Sequence, residues 1–226
     1  MKIHHAIHCS AALLALMLFS VTAAAQKKEL DEAASYDGLQ QVKVKGIDLA
    51  YALPGATLAG YKQVRVAPVS VAFAKNWKPT VTGTNRNLST DDIEKIRSGV
   101  AKLVYDEFVD ELKKGGYTVA TDPGPDVLDV RPAIVKLYIS APDVMTAGRS
   151  RTYTTSAGEM TLLAELADSE TGQVIARVLD RYEARNTGSF RMSSSVANAS
   201  EARIAATNWA KILVKALDNA KSIGSN

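Results

Sequence analysis

The only cysteine, Cys9, and all three histidines, His4, His5 and His8, lie within the first nine residues. Nothing after them can form a disulfide or a zinc site of the usual imidazole and thiolate kind. Any domain built from the rest of this 226-residue chain must therefore be held by its hydrophobic core alone. A chain of about 200 residues buries roughly 70% of its unfolded surface, which suffices for such a core. The same distribution removes chemistry, because no Ser-His-Asp triad, histidine base or thiolate nucleophile can be assembled.

Residues 1–25 read as an export signal. Lys2 supplies a positive start, residues 11–21 (AALLALMLFSV) an apolar run, and Ala23, Ala24 and Ala25 a small-residue cleavage site. Cleavage is expected after Ala25, leaving Gln26 as the first residue. The run is shorter than the roughly 20 residues of a membrane-spanning helix, and no later stretch is apolar enough to span. A lipoprotein needs a cysteine directly after the apolar run, where Gln26 stands, and Cys9 comes too early. The expected product is an unlipidated, exported protein, periplasmic in a Gram-negative cell.

Lys and Arg number 27 against 24 Asp and Glu, with both signs interspersed and no block of like charge. Aromatic residues make up 6% and are not interleaved with arginines, so nucleic acid is discounted as a partner.

Residues 26–60 read as an N-terminal arm with a short alternating piece at 47–51 and a turn at Pro54-Gly55. A single domain is expected over residues 61–226. Its first strand, 61–73, changes apolar phase at Ala67-Pro68, where a proline that cannot donate suggests a bulge or an unpaired edge. A helix is expected from Thr90 to Lys114. Ser89 is its N-cap, Asp92 the reciprocal acceptor, and Gly115-Gly116 its stop. Ile93, Ile96, Val100, Val104, Phe108 and Leu112 form its apolar face.

Strands follow at 117–120 and 127–141, the second with another phase change at Pro132. Two alternating runs, 159–167 and 173–184, flank residues 168–172 (DSETG) as a hairpin. Residues 186–199 are rich in Ser and Asn and read as a loop. A last helix spans 200–222, with Ile204, Trp209, Ile212, Leu213, Ala216, Leu217 and Ala220 on its buried face. The first strand and 117–120 should be parallel across the first helix, through a right-handed crossover, and the other strands antiparallel. The fold class expected is α+β, a two-layer sandwich whose mixed, mostly antiparallel sheet carries two amphipathic helices on one face.

Several phrases, in this order and spacing, resemble one bacterial family. They are DLAYALPGATLAGYKQVRVAPVSVAF (residues 48–73), DPGPDVLDVRPAIV (122–135), LLAELADSETGQVIARVLDRYEA (162–184) and NWAKILVKALD (208–218). The family is the domain of unknown function "thirty-three thirteen", whose members are mostly described as exported, lipoprotein-like proteins. The resemblance implies an envelope setting and supplies no activity or site residue. The lipidation cysteine of many such proteins is missing here. The element order is also similar to that of small envelope domains such as the TolB N-terminal domain, a likeness of fold only.

Candidate sites are few. Asp180, Arg181, Tyr182 and Glu183 end the hairpin, and alternation puts Asp180 with Tyr182 and Arg181 with Glu183 on opposite faces. Asp180 and Glu183 thus cannot form a carboxylate pair, and a cross-strand charge ladder is expected. Arg149, Arg151 and Tyr153 lie in the polar loop 148–158 and form a candidate interaction loop for a glycan, a phosphate or a protein. Ser193, Ser194 and Ser195 lack an S-x-x-K pattern and read as loop formers. DPGPD and DSETG lack the ligand spacing of a calcium loop, and turn chemistry explains both. Trp209 reads as core. No catalytic residue, metal ligand or cofactor is assigned.

The reading that follows is a non-catalytic, exported envelope module acting through contacts with a protein partner. The rivals are a hydrolase using carboxylates or a Ser/Lys pair beside residues 148–158, and a small-ligand or glycan carrier using that loop.

Overall fold

The structure is a computed structural model that describes residues 27–28, 31–32, 34, 37–77, 88–139, 153–154, 158–184, 191–192 and 195–224. Among the described residues, ten strands and two long helices follow in order: β1 (Gln40–Val42), β2 (Leu49–Ala52), β3 (Gln63–Val66), β4 (Ser70–Phe73), α1 (Thr90–Lys114) and β5 (Thr118–Val119). After them come β6 (Val127–Ile139), β7 (Tyr153–Thr154), β8 (Gly158–Asp168), β9 (Val174–Glu183), β10 (Arg191–Met192) and α2 (Ser195–Gly224).

Eight strands form one mixed sheet in the order β1-β2-β9-β8-β6-β3-β5, with β4 also on β6. The fold is α+β, with both helices packed on one face of this sheet. The segment set apart as an arm supplies β1 and β2, and β2 pairs antiparallel with β9 from Leu49↔Leu179 to Ala52↔Ala176.

The phase change at Ala67-Pro68 marks a real interruption. β3 pairs with β6 up to Val66↔Val130, and β4 resumes at Ser70↔Ala133, so the link carries one extra residue opposite β6. Ala67 N donates to Val130 O at 2.8 Å just before the break. Pro132 lies two residues beyond Val130, so its missing donor falls on the same edge, at the gap. Two prolines thus meet where the ladder needs no N–H.

One topological expectation is corrected. β3 is parallel to β5, as expected, but β3 and β4 are also parallel to β6. The DPGPD loop closes no hairpin. It carries the chain past the start of β3 and places β5 and β6 on its two edges, and Lys62 N and Gln63 N donate to Asp126 O at 3.0 and 3.1 Å. Short-loop logic favours antiparallel neighbours, and it fails here because β3 lies between the two strands. The hairpin β8–β9 is as expected, with Gly172 at φ +73 closing its loop.

α1 starts at the capping box: Asp92 N donates to Ser89 Oγ at 3.1 Å and Ser89 N to Asp92 Oδ2 at 3.3 Å. Gly116 (φ +80) turns the chain at its end, where Tyr117 N donates to Leu112 O. α1 buries Val104, Phe108 and Leu112. α2 buries Ala205, Ala206, Trp209, Ala210, Leu213 and Leu217 over Val64, Leu128, Val130, Ile134, Met160 and Leu162 of the sheet. The missing side chain at the end of α1 lets α2 come close: a Cβ at Gly115 would lie 2.7 Å from Val214 Cγ1. Ile204, expected on the buried face, is 44% exposed; Ala205 and Ala206 hold the place beside it.

The expected loop 186–199 is also corrected. Arg191–Met192 is a strand paired with Tyr153–Thr154, and α2 begins at Ser195. Ser and Asn lower helix propensity by only a few tenths of a kcal/mol each, which packing of the rest of a long helix overrides.

Candidate functional site

Alternation along β9 sorts its polar residues between two environments. Asp180 and Tyr182 face α2. Asp180 accepts from Trp209 Nε1 at 2.6 Å and from Asp48 N at 3.0 Å, and Asp48 Oδ2 accepts from Arg181 N at 3.0 Å. Burial pushes the Asp180 carboxyl up; the Trp209 and Asp48 N–H bonds oppose this, and the Asp48 charge adds to it. Tyr182 OH donates to Glu201 Oε2 at 2.8 Å. These groups fasten the helix layer to the sheet, and Glu183 lies on the other face, so the two acids do not converge.

The opposite, outer face carries paired charges. Arg65 grips Asp129 with Nε and Nη2 at 2.6 and 2.7 Å, and Arg131 Nη2 adds a contact at 3.4 Å. Asp129 is 4% exposed; burial alone would raise its carboxyl, yet the two guanidiniums hold it below the usual range. Arg181 pairs with Glu159, and more loosely with Glu183 at 3.5 Å. Arg65–Asp129 is a direct cross-strand pair and Arg181–Glu159 a diagonal one. Arg181 and Glu183 are alternate residues of β9 and Glu183 stands opposite Glu159, so the expected cross-strand ladder is met only by Arg181 with Glu159.

A third cluster centres on Arg177, which is 7% exposed. Its Nε and Nη2 donate to Glu165 Oε1 at 2.8 and 2.6 Å, and Nη2 also reaches Asp37 Oδ2 at 2.6 Å. Burial works against the charge of Arg177, and the two carboxylates outweigh it. Its Nη1 is buried with no acceptor among the described residues.

The described residues before β1, namely 27–28, 31–32, 34 and 37–39, cap this corner of the outer face. Residues 27–28, 31–32 and 34 are helical, Gly38 has φ +71, and Leu39 N donates to Ala34 O at 2.8 Å. This is the glycine-ended helix stop that brings the residue after the glycine against the last turn. It seats Ala34 and Leu39 against Tyr51, with Leu49, Leu53, Leu163, Val174 and Leu179 around them, in a cluster separate from the main core. Tyr51 OH donates to Asp31, which also takes Lys27 Nζ at 2.6 Å. Burial and that bond push the Tyr51 hydroxyl up to about 12.

The DSETG and DPGPD loops dock on each other. Asp168 Oδ1 accepts from Glu170 N, Thr171 N and Thr171 Oγ1, and Oδ2 accepts from Tyr61 OH at 3.1 Å. Ser169 Oγ accepts from Gly124 N and donates to Gly124 O. Asp168 is thus engaged in shaping its own turn. Beside these loops lies a groove of about 430 Å³ lined by Gln63 and residues 119–127. Its side chains pair among themselves, Gln63 Nε2 with Asp126 at 3.2 Å and Thr121 Oγ1 with Asp122 at 2.9 Å.

Of the residues singled out from sequence, Ala25, Gln26, Arg149, Arg151, Ser193 and Ser194 lie outside the described residues. Tyr153 sits in β7, opposite Met192 of β10. The Arg65–Asp129 and Arg177–Glu165–Asp37 clusters were not identified from sequence. Alternation places Glu165 and Arg177 on one face, but pairing them needs the β8–β9 register, and Asp37 comes from 140 residues away.

Comparison with curated proteins finds no match. Among solved structures, the chain is similar to a protein of the family DUF330 from Xanthomonas campestris, with 18% identity, TM-score 0.43, and coverage of 76% of this chain and 93% of that one. It is also similar to the PelC dodecamer from Paraburkholderia phytofirmans, with 14% identity, TM-score 0.35, and coverage of 78% and 96%. A minor lipoprotein from Acinetobacter baumannii gives 12% identity, TM-score 0.32, and coverage of 69% and 91%. Likeness at this level says nothing about activity. A family model matches residues 28–213, and the chain belongs to that family, described as protein of unknown function DUF3313.

Proposed function

We propose that this protein is a non-catalytic module of the bacterial cell envelope, exported by residues 1–25, that works through protein contacts made by the outer face of its sheet. The observation that carries this reading is the engagement of its buried and half-buried acids in structural bonds. Asp180 holds Trp209, Asp129 holds Arg65, and Asp168 shapes its own turn. A general acid or base must instead be within reach of a substrate proton. Both long helices pack on one side of the sheet, and Arg131, Arg181 and Lys136 lie on the other side.

The test is turnover. The purified chain starting at Gln26, incubated with cell-wall glycan and peptide fragments, should release no more product than the heat-unfolded chain. Turnover that disappears in Asp180→Asn or Asp129→Asn would overturn the reading and favour carboxylate chemistry.

A further inference from the structure

The large apolar side chains left exposed among the described residues are Val42 (40%) and Ile204 (44%), and they belong to neighbouring segments. Val42 ends β1 opposite Ala50, and Ala50 stands opposite Val178, so all three share the helix side of the sheet. The turn after β1 lies against α2: a Cβ at Gly46, whose φ is +84, would lie 3.3 Å from Ile212 Cδ1. That turn carries Lys43 and Lys45. On α2, Ile204, Lys211 and Lys215 fall on one solvent-facing stripe by helical spacing. All four lysines are exposed, and none forms an ion pair among the described residues. α1 differs, since its Lys102 pairs with Asp106 and its Lys114 with Glu111. On α2 the place one turn from Lys211 is taken by a second lysine, and like charges at that spacing repel. The acids flanking the stripe, Glu201 and Asp218, accept from Tyr182 OH and Tyr117 OH at 2.8 Å. A convex ledge results, with four uncompensated positive charges and two exposed apolar groups.

We infer that this ledge, formed by Lys43 and Lys45 after β1 and by Lys211 and Lys215 on α2, rests on a membrane surface carrying anionic phospholipid headgroups. Lysine is a compact point charge on a flexible stem, so it meets dispersed phosphates without a fixed geometry. It is depleted at protein–protein interfaces, whose anchors are mostly aromatic rings and arginine forks, and the ledge residues include neither. The lysines draw the surface in, and Val42 and Ile204 enter the headgroup boundary as the apolar side of an interfacial helix does. The contact is peripheral: no described helix is long and apolar enough to cross a membrane. The ledge belongs to the helix layer, opposite the outer sheet face, so it goes beyond the contact role proposed for that face and does not depend on it.

The test is flotation of the purified chain from Gln26 onward with vesicles of equal parts phosphatidylglycerol and phosphatidylethanolamine, against neutral phosphatidylcholine vesicles. Partitioning to the anionic vesicles should be at least about tenfold stronger, and salt at about 0.5 M should abolish the difference. Lys211→Gln with Lys215→Gln, and separately Lys43→Gln with Lys45→Gln, should each weaken partitioning by roughly tenfold. Lys62→Gln with Lys95→Gln removes the same charge from exposed lysines beside β3 and on α1, and should change it by less than about twofold. Ile204→Ser should weaken it several-fold with the unfolding midpoint unchanged. Equal flotation with both kinds of vesicle would overturn the inference. A loss from the Lys62 and Lys95 changes as large as from the ledge pairs would also overturn it, by reducing the effect to net charge. Self-association without flotation, lost in the Lys211 and Lys215 variant, would overturn it too and assign the ledge to a second copy.

Discussion

Asp180 on β9 accepts a hydrogen bond from Trp209 Nε1 on α2 at 2.6 Å, and this bond ties the helix layer to the centre of the sheet. Its other oxygen takes Asp48 N at the start of β2, so one half-buried carboxylate joins three elements. Asp180→Ala leaves the indole N–H buried without an acceptor and should cost about 1–3 kcal/mol, read from urea unfolding.

Asp180 also gives a pH signature with a defined sign. Its carboxyl is raised above the ordinary 3.8, chiefly by burial, so the folded state holds the proton more tightly. Its contribution to stability therefore falls as pH rises from 3.8 through the raised value. Asp180→Asn should remove that slope and cost less at neutral pH than Asp180→Ala, in unfolding curves taken from pH 4 to 7.

Asp129 behaves in the opposite sense. The guanidiniums of Arg65 and Arg131 hold it below the ordinary value despite burial, so its contribution is present at neutral pH and lost as pH falls through the lowered value. Arg65→Ala leaves this buried carboxylate with Arg131 alone, at 3.4 Å, and should cost about 3 kcal/mol at pH 7. The deficit should shrink as acid protonates Asp129, which parallel unfolding curves at pH 3 and pH 7 would show.

Gly158 opens β8 at φ +136, where a Cβ would lie 2.0 Å from Tyr138 O of the neighbouring strand. Both the conformation and the contact exclude a side chain. Gly158→Ala should lower stability by about 3 kcal/mol or more and shift the thermal midpoint accordingly.

Mass spectrometry of the protein from its native host should show a chain beginning at Gln26 without acyl groups. An acylated N-terminus would mean that the leader is processed in another way.

The local elements were legible because their signals are local. Ser89 with Asp92, Gly115-Gly116 and the apolar spacing from Ile93 to Leu112 gave α1 its observed ends. The alternating runs around DSETG gave the β8–β9 hairpin. What the sequence hid were relations between distant strands. No spacing says that loop 120–126 passes the start of β3, so the parallel β3–β6 pairing has no local signal. Size and apolar character favour the buried face for Ile204, yet it is exposed and the neighbouring Ala205 and Ala206 are buried. The Arg65–Asp129 and Arg177–Asp37 pairs join residues 64 and 140 positions apart and exist only once the register is set.

The most direct test is a map of contacts in living cells, with a photoreactive residue placed singly at Arg131 and Lys136 on the outer face, and at Lys211 and Lys215 on exposed positions of α2. The account predicts a defined protein adduct from Arg131 and Lys136 and none from Lys211 or Lys215. Adducts confined to the helix positions, or none from any position, would contradict it.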